Sequence, residues 1–348
     1  MAPRTHIVGA GLIGASLGIG LAAEGWTVTI EDNDPEAERL ARSIGAGGTP
    51  TGDAPELVIV AVPPSAAAAV VAAALGRYPD AVVTDVASVK APIAAAAEAT
   101  GASSRYVGSH PMAGREVSGG LGAQGDLFKA RPWVLCPNGA TPEAIATVAL
   151  VPEALQCDVV TMEAAAHDAA VARVSHAPQV AASAVAAALG ILDADDVALA
   201  GQGLRDVTRI AASLPGMWAD IARLNRKHLI DSLDHIIADL EEVREADDIG
   251  EALTDLIDRG RFEVARIPGK HGGATRDWTP VTVIVPDTPG QLLRLLQHTA
   301  AEDVNVEDIA IEHSPRQPVG LTTLYVLPTH AAALVAALER HGWEIAAS

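Results

Sequence analysis

The chain has 348 residues, room for two or three domains at roughly 150 residues each. Hydrophobic residues make up 49% but aromatics only 3%, so the core must be built from Ala, Val, Leu and Ile. With 24 basic and 44 acidic residues and a net charge of -20, the composition argues against nucleic acid or anionic membranes as partners; an anionic substrate would need a local cluster of Arg, Lys and helix N-termini.

Thr5-His6-Ile7-Val8 reads as a short strand, with no signal-peptide pattern ahead of it. It runs into Gly9-Ala10-Gly11-Leu12-Ile13-Gly14 and then an Ala/Leu helix. A second strand, Val28-Thr29-Ile30, ends at Glu31-Asp32. A GxGxxG run between a strand and a helix, with an acidic residue after the next strand, is the context of a dinucleotide-binding turn. Gly9 permits the tight turn, Gly11 lets backbone approach a pyrophosphate at the helix N-terminus, and Gly14 lets helix and strand pack closely. Leu12 and Ile13 complete the turn. Asp32 (or Glu31) would accept hydrogen bonds from ribose hydroxyls and repel a 2′-phosphate, which favours NAD over NADP.

Leu57 to Gly76 is uncharged and long enough to span a membrane, but Pro63-Pro64 divides it into a strand and a helix of soluble-core length. The strand, Leu57 to Val62, is fully apolar, as parallel sheets require, and Val62 ends it beside the expected cofactor. Ala81 to Asp85 is the next strand. Val86-Ala87-Ser88-Val89-Lys90 then leads into a helix, placing Ser88 at the sheet edge where open α/β sheets bind ligands. Lys90 reads either as a solvated end charge or as a cofactor contact. Arg105-Tyr106-Val107 leads to Gly108-Ser109-His110-Pro111-Met112-Ala113-Gly114. Pro111 biases His110 away from helical geometry, at a strand end where its ring can face a cleft and exchange a proton near neutral pH. Trp133 to Cys136 and Asp158 to Met162 are the last expected strands. Cys136 and Cys157 lack CxxC spacing and are expected to be buried free thiols in a reducing cytoplasm.

From Glu163 to about Gly260 only helical periodicity is visible. Ala164 to Leu189 reads as one helix containing Pro178, and Met217 to Ala246 as one long amphipathic helix. Arg261 to Trp278, with Lys270, His271 and Arg276, reads as a linker. The remainder, with strands near Val281, Val304, Gly320 and Trp343 and two helices between them, follows the βαββαβ order of ferredoxin-like folds. The expected fold is therefore α/β: a Rossmann-like dinucleotide-binding domain (1–163), an all-helical substrate and dimerisation domain (164–262), a linker (263–278) and a ferredoxin-like domain (279–348).

Four motifs in this order resemble the prephenate dehydrogenase family: Gly108 to Gly114, Asp85 to Lys90, Ser175-His176-Ala177-Pro178-Gln179, and Leu204 to Ala211 followed by Met217-Trp218. Arg115 departs from the small or neutral residue of that pattern. The C-terminal Asp287-Thr288-Pro289-Gly290-Gln291-Leu292 with Asn305 looks like an ACT domain, a module that usually binds an amino-acid effector. The resemblance implies NAD-dependent oxidative decarboxylation of prephenate, with arogenate as the alternative substrate. It implies that His110 is the base and that Ser88 hydrogen-bonds it. It also implies substrate contacts from His176, Arg209, Gln179 and Arg205, an effector site at Asp287, Pro289, Gly290 and Asn305, and a homodimer through the helical domain. Structural alternatives stay open: Ser88 as a helix cap, His176 as a satisfied core histidine, Arg209 as an ion-pair partner. So do other functions on the same architecture, a β-hydroxyacid dehydrogenase, an imine reductase or a non-catalytic NAD sensor.

Overall fold

The computed structural model describes residues 2–50, 52–114, 119–267, 278–313 and 318–346. Arg115 and the linker residues Lys270, His271 and Arg276 lie outside them. Packing divides the chain into two units, Met1–Ile191 with Val207–Ile237, and Leu192–Asp206 with Ala238–Ser348. These differ from the boundaries expected from sequence, because the first helices after the sheet domain pack onto it.

The first unit is built on a seven-stranded sheet: β1 (Thr5–Val8), β2 (Val28–Glu31), β3 (Leu57–Val60), β4 (Val82–Asp85), β5 (Tyr106–Pro111), β6 (Pro132–Cys136) and β7 (Asp158–Thr161). Their order is β2-β1-β3-β4-β5-β6-β7. Helices α1 (Leu12–Ala23), α2 (Pro35–Ser43), α3 (Pro64–Arg77), α4 (Ala91–Ala99) and α5 (Pro142–Ala154) supply the connections. The expected strand at Leu57–Val62 stops at Val60 because Pro63 and Pro64 begin the next helix. Strands β1 to β5 run parallel, but β6 is antiparallel to β5. Among the described residues no helix of full length lies between β5 and β6 to carry the chain back across the sheet, so β6 starts from the edge where β5 ends. Side chains such as Ile7, Ile30, Leu57 and Ile59 are wholly buried, consistent with a sheet covered on both faces. Cys136 is buried and Cys157 partly so; both are free. Burial raises their thiols to about 12 and about 11.

Ala164 to Ala188 is one continuous helical run, α6 (Ala164–Val171) and α7 (Ala177–Ala188), joined by a π-helical turn at Ala172–His176. The cause is local. Pro178 has no N–H to donate, and its ring would crowd the carbonyl four residues back; the wider turn relieves both, and such bulges gather at functional sites. Short helices α8 (Ala194–Val197) and α9 (Gln202–Thr208) follow. The long helix expected from Met217 to Ala246 is in fact two, α10 (Pro215–Leu224) and α11 (Arg226–Glu245), broken at Asn225.

In the second unit, α12 (Ile249–Val264) reaches into the expected linker. The C-terminal part contains β8 (Thr279–Pro286), α13 (Gln291–Ala301), β9 (Asp308–His313), β10 (Val319–Val326), α14 (Pro328–Arg340) and β11 (Glu344–Ile345). The sheet order is β11-β8-β10-β9, antiparallel throughout, as the βαββαβ reading requires. Val281, Val283, Val285, Leu324 and Leu334 form its core.

Candidate active site

A cleft of about 1250 Å³ opens at the C-terminal edge of the parallel strands, lined by Gly9, Gly11, Asp32, Val62, Pro63 and Ser65 among others. The glycines act as the sequence pattern requires. Gly9 has φ +110° and would set a side chain 2.3 Å from the Ala61 carbonyl oxygen, while a Cβ at Gly14 would lie 1.9 Å from that of Gly9. Nothing lies within 4 Å of a Cβ built on Gly11: that space is open toward a ligand. Leu12 and Ile13 begin α1, whose free N–H groups suit a pyrophosphate. Asp32 accepts the Ala10 N–H at 2.6 Å and the Asp34 N–H at 2.8 Å; a carboxylate has about four acceptor sites, so capacity remains for ribose hydroxyls. The residues present fit a dinucleotide.

His110 lies on β5 two residues beyond Gly108, the last residue paired with β4. It therefore projects at the same sheet edge as the cleft, its ring half-buried. Its Nδ1 lies 2.9 Å from Nε2 of His167, and Nδ1 of His167 lies 2.8 Å from an Asp168 carboxylate oxygen. Burial first, then His167, Lys90 and His176, holds the His110 imidazole well below the usual histidine value, so the ring is neutral and able to take a proton. The hydrogen bond expected from Ser88 to His110 is not made; Nδ1 turns to His167 on α6 instead. Nor does Ser88 cap α4. Asp168 does that from α6, accepting the Lys90 and Ala91 N–H groups at 2.7 and 2.9 Å. Ser88 sits half-buried between β4 and α4.

Lys90 has neither of the roles weighed for it. Its side chain is wholly buried, bonded to the Asp85 carboxylate and, at 2.7 Å, to the Ser109 carbonyl. Asp85 also accepts the Tyr106 hydroxyl at 2.6 Å. This buried ion pair fixes the backbone immediately before His110.

His176 is buried at the end of the π turn, with Nδ1 3.2 Å from Asn225 Nδ2 and its ring edge-on to Trp218, centroids 6.1 Å apart. Burial lowers its value to about 4. Gln179 is buried and engaged internally: its amide nitrogen donates to the Ile210 carbonyl at 2.9 Å, and its oxygen accepts from Ser213. It anchors the turn Arg209–Ala212 rather than standing open to a ligand. Arg209 itself is exposed on that turn, and Arg205, on α9, is exposed and belongs to the other unit.

Residues 17–161 match the nucleotide-binding domain of prephenate dehydrogenase, and residues 163–254 its dimerization domain. The chain is 33% identical over 356 residues to a probable prephenate dehydrogenase, NovF, of Streptomyces niveus, covering 97% of this chain and 98% of that protein. The chain belongs to the prephenate dehydrogenase family. Among solved structures, the prephenate dehydrogenase of Aquifex aeolicus, in complex with hydroxyphenyl propionate and NAD+, superposes with TM-score 0.67 at 27% identity, covering 76% of this chain and 98% of that one. The arogenate dehydrogenase of Synechocystis superposes with TM-score 0.60 at 26% identity, covering 86% and 98%. Like the family, this protein is an NAD-dependent oxidoreductase.

His167, Asp168 and Asn225 carry the site's geometry, and none was singled out from sequence. A signal existed for the first two. His167-Asp168 is the one polar pair in the stretch Ala164 to Val171, otherwise Ala and Val, and a buried polar pair on an apolar helix demands partners. Asn225 carried no such mark, having no Gly or Pro beside it. Its amide nitrogen reaches the Asp168 carbonyl at 2.7 Å as well as His176, which explains the break between α10 and α11. Of the effector candidates, Gly290 has φ +88° at the start of α13, after Pro289. Asp287 bonds through its N–H to the Pro318 carbonyl at 2.8 Å, and Asn305 donates to Glu307 at 2.8 Å.

Proposed function

We propose that this protein converts prephenate to 4-hydroxyphenylpyruvate, with His110 as the general base. The observation that carries this reading is the position of His110: a neutral, half-buried imidazole two residues past the last β4 pairing, at the edge holding the NAD cleft. Prephenate is a cyclohexadiene with a C4 hydroxyl, a ring carboxylate and a pyruvyl side chain. Bound NAD supplies the acceptor for the hydrogen and electron pair on C4. His110 takes the hydroxyl proton as C4 becomes a carbonyl. The bond to the ring carboxylate then breaks, carbon dioxide leaves, and its electron pair aromatises the ring to a phenolate, which takes the proton back from His110 to give the phenol. Ser88, half-buried after β4, is read as bonding the substrate hydroxyl. His176 and Arg209 hold carboxylate or carbonyl groups of the dianion, an Arg–carboxylate pair orienting as well as attracting. Gln179 acts by fixing the turn that carries Arg209.

A second reading is arogenate as substrate, favoured by the likeness to the Synechocystis enzyme; the same His110 chemistry applies. NADH formation measured with prephenate and with arogenate, each with NAD and NADP, tests both. Prephenate with NAD is expected to give the higher kcat/KM. No NADH and no carbon dioxide from either substrate would end the reading.

The protein is read as a cytoplasmic homodimer joined through the helical domain. The match to a dimerization domain supports this, as do the exposed apolar residues Leu240 on α11 and Ile257 and Phe262 on α12. The C-terminal βαββαβ part is read as an ACT domain that binds tyrosine at Asp287, Pro289, Gly290 and Asn305 and lowers activity.

A further inference from the structure

We propose that His167 and Asp168 fix the tautomer of His110, so that the base always presents an unprotonated Nε2 to the substrate hydroxyl. The inference rests on the reading of His110 as base and assigns two residues to it that act through it. They are positioning residues, not catalytic ones.

The argument follows the protons from the far end. An ionised carboxylate can only accept hydrogen bonds. Asp168 receives the Lys90 N–H at 2.7 Å and the Ala91 N–H at 2.9 Å, and its third neighbour, His167 Nδ1 at 2.8 Å, must therefore also be a donor. The His167 ring is 0% exposed, and a neutral imidazole has one proton to donate. With its proton on Nδ1, its Nε2 offers a lone pair. Facing that lone pair at 2.9 Å is Nδ1 of His110. Two lone pairs cannot meet at that separation, so His110 carries its proton on Nδ1. A neutral imidazole has only one such proton, which leaves Nε2 bare.

The ring geometry agrees. The planes of His110 and His167 meet at 76°, with centroids 5.1 Å apart, an edge-on approach that suits an in-plane hydrogen bond and not stacking. The far end is also held still. Asp168 is pinned by two amides of the first turn of α4, and its carbonyl accepts from Asn225 at 2.7 Å. When the substrate proton reaches Nε2, His110 becomes a cation whose Nδ1–H already points along the chain toward the Asp168 charge. No bond other than that to the transferred proton has to change.

The test is the protonation state of one ring, read directly and then perturbed. In protein labelled with ¹⁵N-histidine, the His110 signals are assigned by their loss in His110→Gln. The expected spectrum at neutral pH, with NAD bound, has Nδ1 of His110 protonated and Nε2 bare. In Asp168→Asn the new amide can donate to His167 Nδ1, which inverts both rings. The expected result is a His110 proton on Nε2, kcat lower by up to about 10⁴-fold, as for the corresponding swap in a serine-protease triad, and unchanged NAD affinity. A wild-type spectrum with the His110 proton on Nε2, or with His167 doubly protonated, would overturn the proposal whether or not the variant folds. So would an Asp168→Asn enzyme with wild-type kcat. If wild-type protein makes no NADH from prephenate yet shows the Nδ1–H tautomer on His110, the substrate reading fails and the tautomer assignment stands.

Discussion

The proposed base, His110, sits half in the protein and beside two other imidazoles. Those surroundings depress its proton affinity, so its basic form persists into acid. The acid limb of kcat/KM should accordingly lie below the ordinary histidine value of 6.5; a limb at or above 6.5 would contradict the assigned base. His110→Asn should lower kcat by about 10²–10⁴-fold, the usual worth of general-base assistance, with little change in KM for prephenate. Beneath it, Lys90 and Asp85 are both wholly buried. Removing one partner of such a pair strands the other charge, at a cost of about 3–5 kcal/mol. Lys90→Met should therefore show a large loss in urea denaturation, partly recovered in the double variant with Asp85→Asn.

At the scale of elements, the glycine turn separates folding from binding. Gly14→Ala would drive a methyl to 1.9 Å from the Gly9 carbonyl oxygen and should lower Tm sharply. Gly11→Ala meets open space, so Tm should hold while the Kd for NAD rises; equal Tm losses in the two would refute the distinction. The π turn between α6 and α7 makes a different demand. It buries His176 in neutral form, with a value of about 4 in the folded protein against 6.5 when unfolded. As pH falls from 6.5 toward 4, the unfolded chain gains a proton that the folded one refuses. Folding stability should therefore drop through that window, by at most about 3 kcal/mol, and level off below it. His176→Gln should flatten this dependence in denaturation curves taken across the same pH range.

At the scale of the whole molecule, the acidic chain must bind a dianion against its own net charge of -20, which puts the burden on local groups such as Arg209 and helix N-termini. Regulation is expected in the ferredoxin-like part. In the full-length chain, Asp287→Ala with Asn305→Ala should abolish inhibition by tyrosine and leave kcat without tyrosine unchanged. Inhibition that persists at the wild-type concentration would remove the effector site from these residues.

Read alone, the sequence determined the strand–glycine–helix entry, the Asp32 carboxylate, the seven sheet strands, the C-terminal βαββαβ order and the stretch holding His110. All of these are local: a turn that needs glycine, a period of two or of 3.6, a proline that forbids helix. Tertiary structure alone decided what touches His110. Its partner His167 lies 57 residues along the chain, and Lys90 meets Asp168 across 78. No periodicity encodes such pairs. The helix break at Asn225 and the exchange of Ser88 for His167 as the partner of the proposed base have the same origin. Each is set by buried polar groups finding one another when the helices pack on the sheet, a choice made by three-dimensional packing and not by neighbours in sequence.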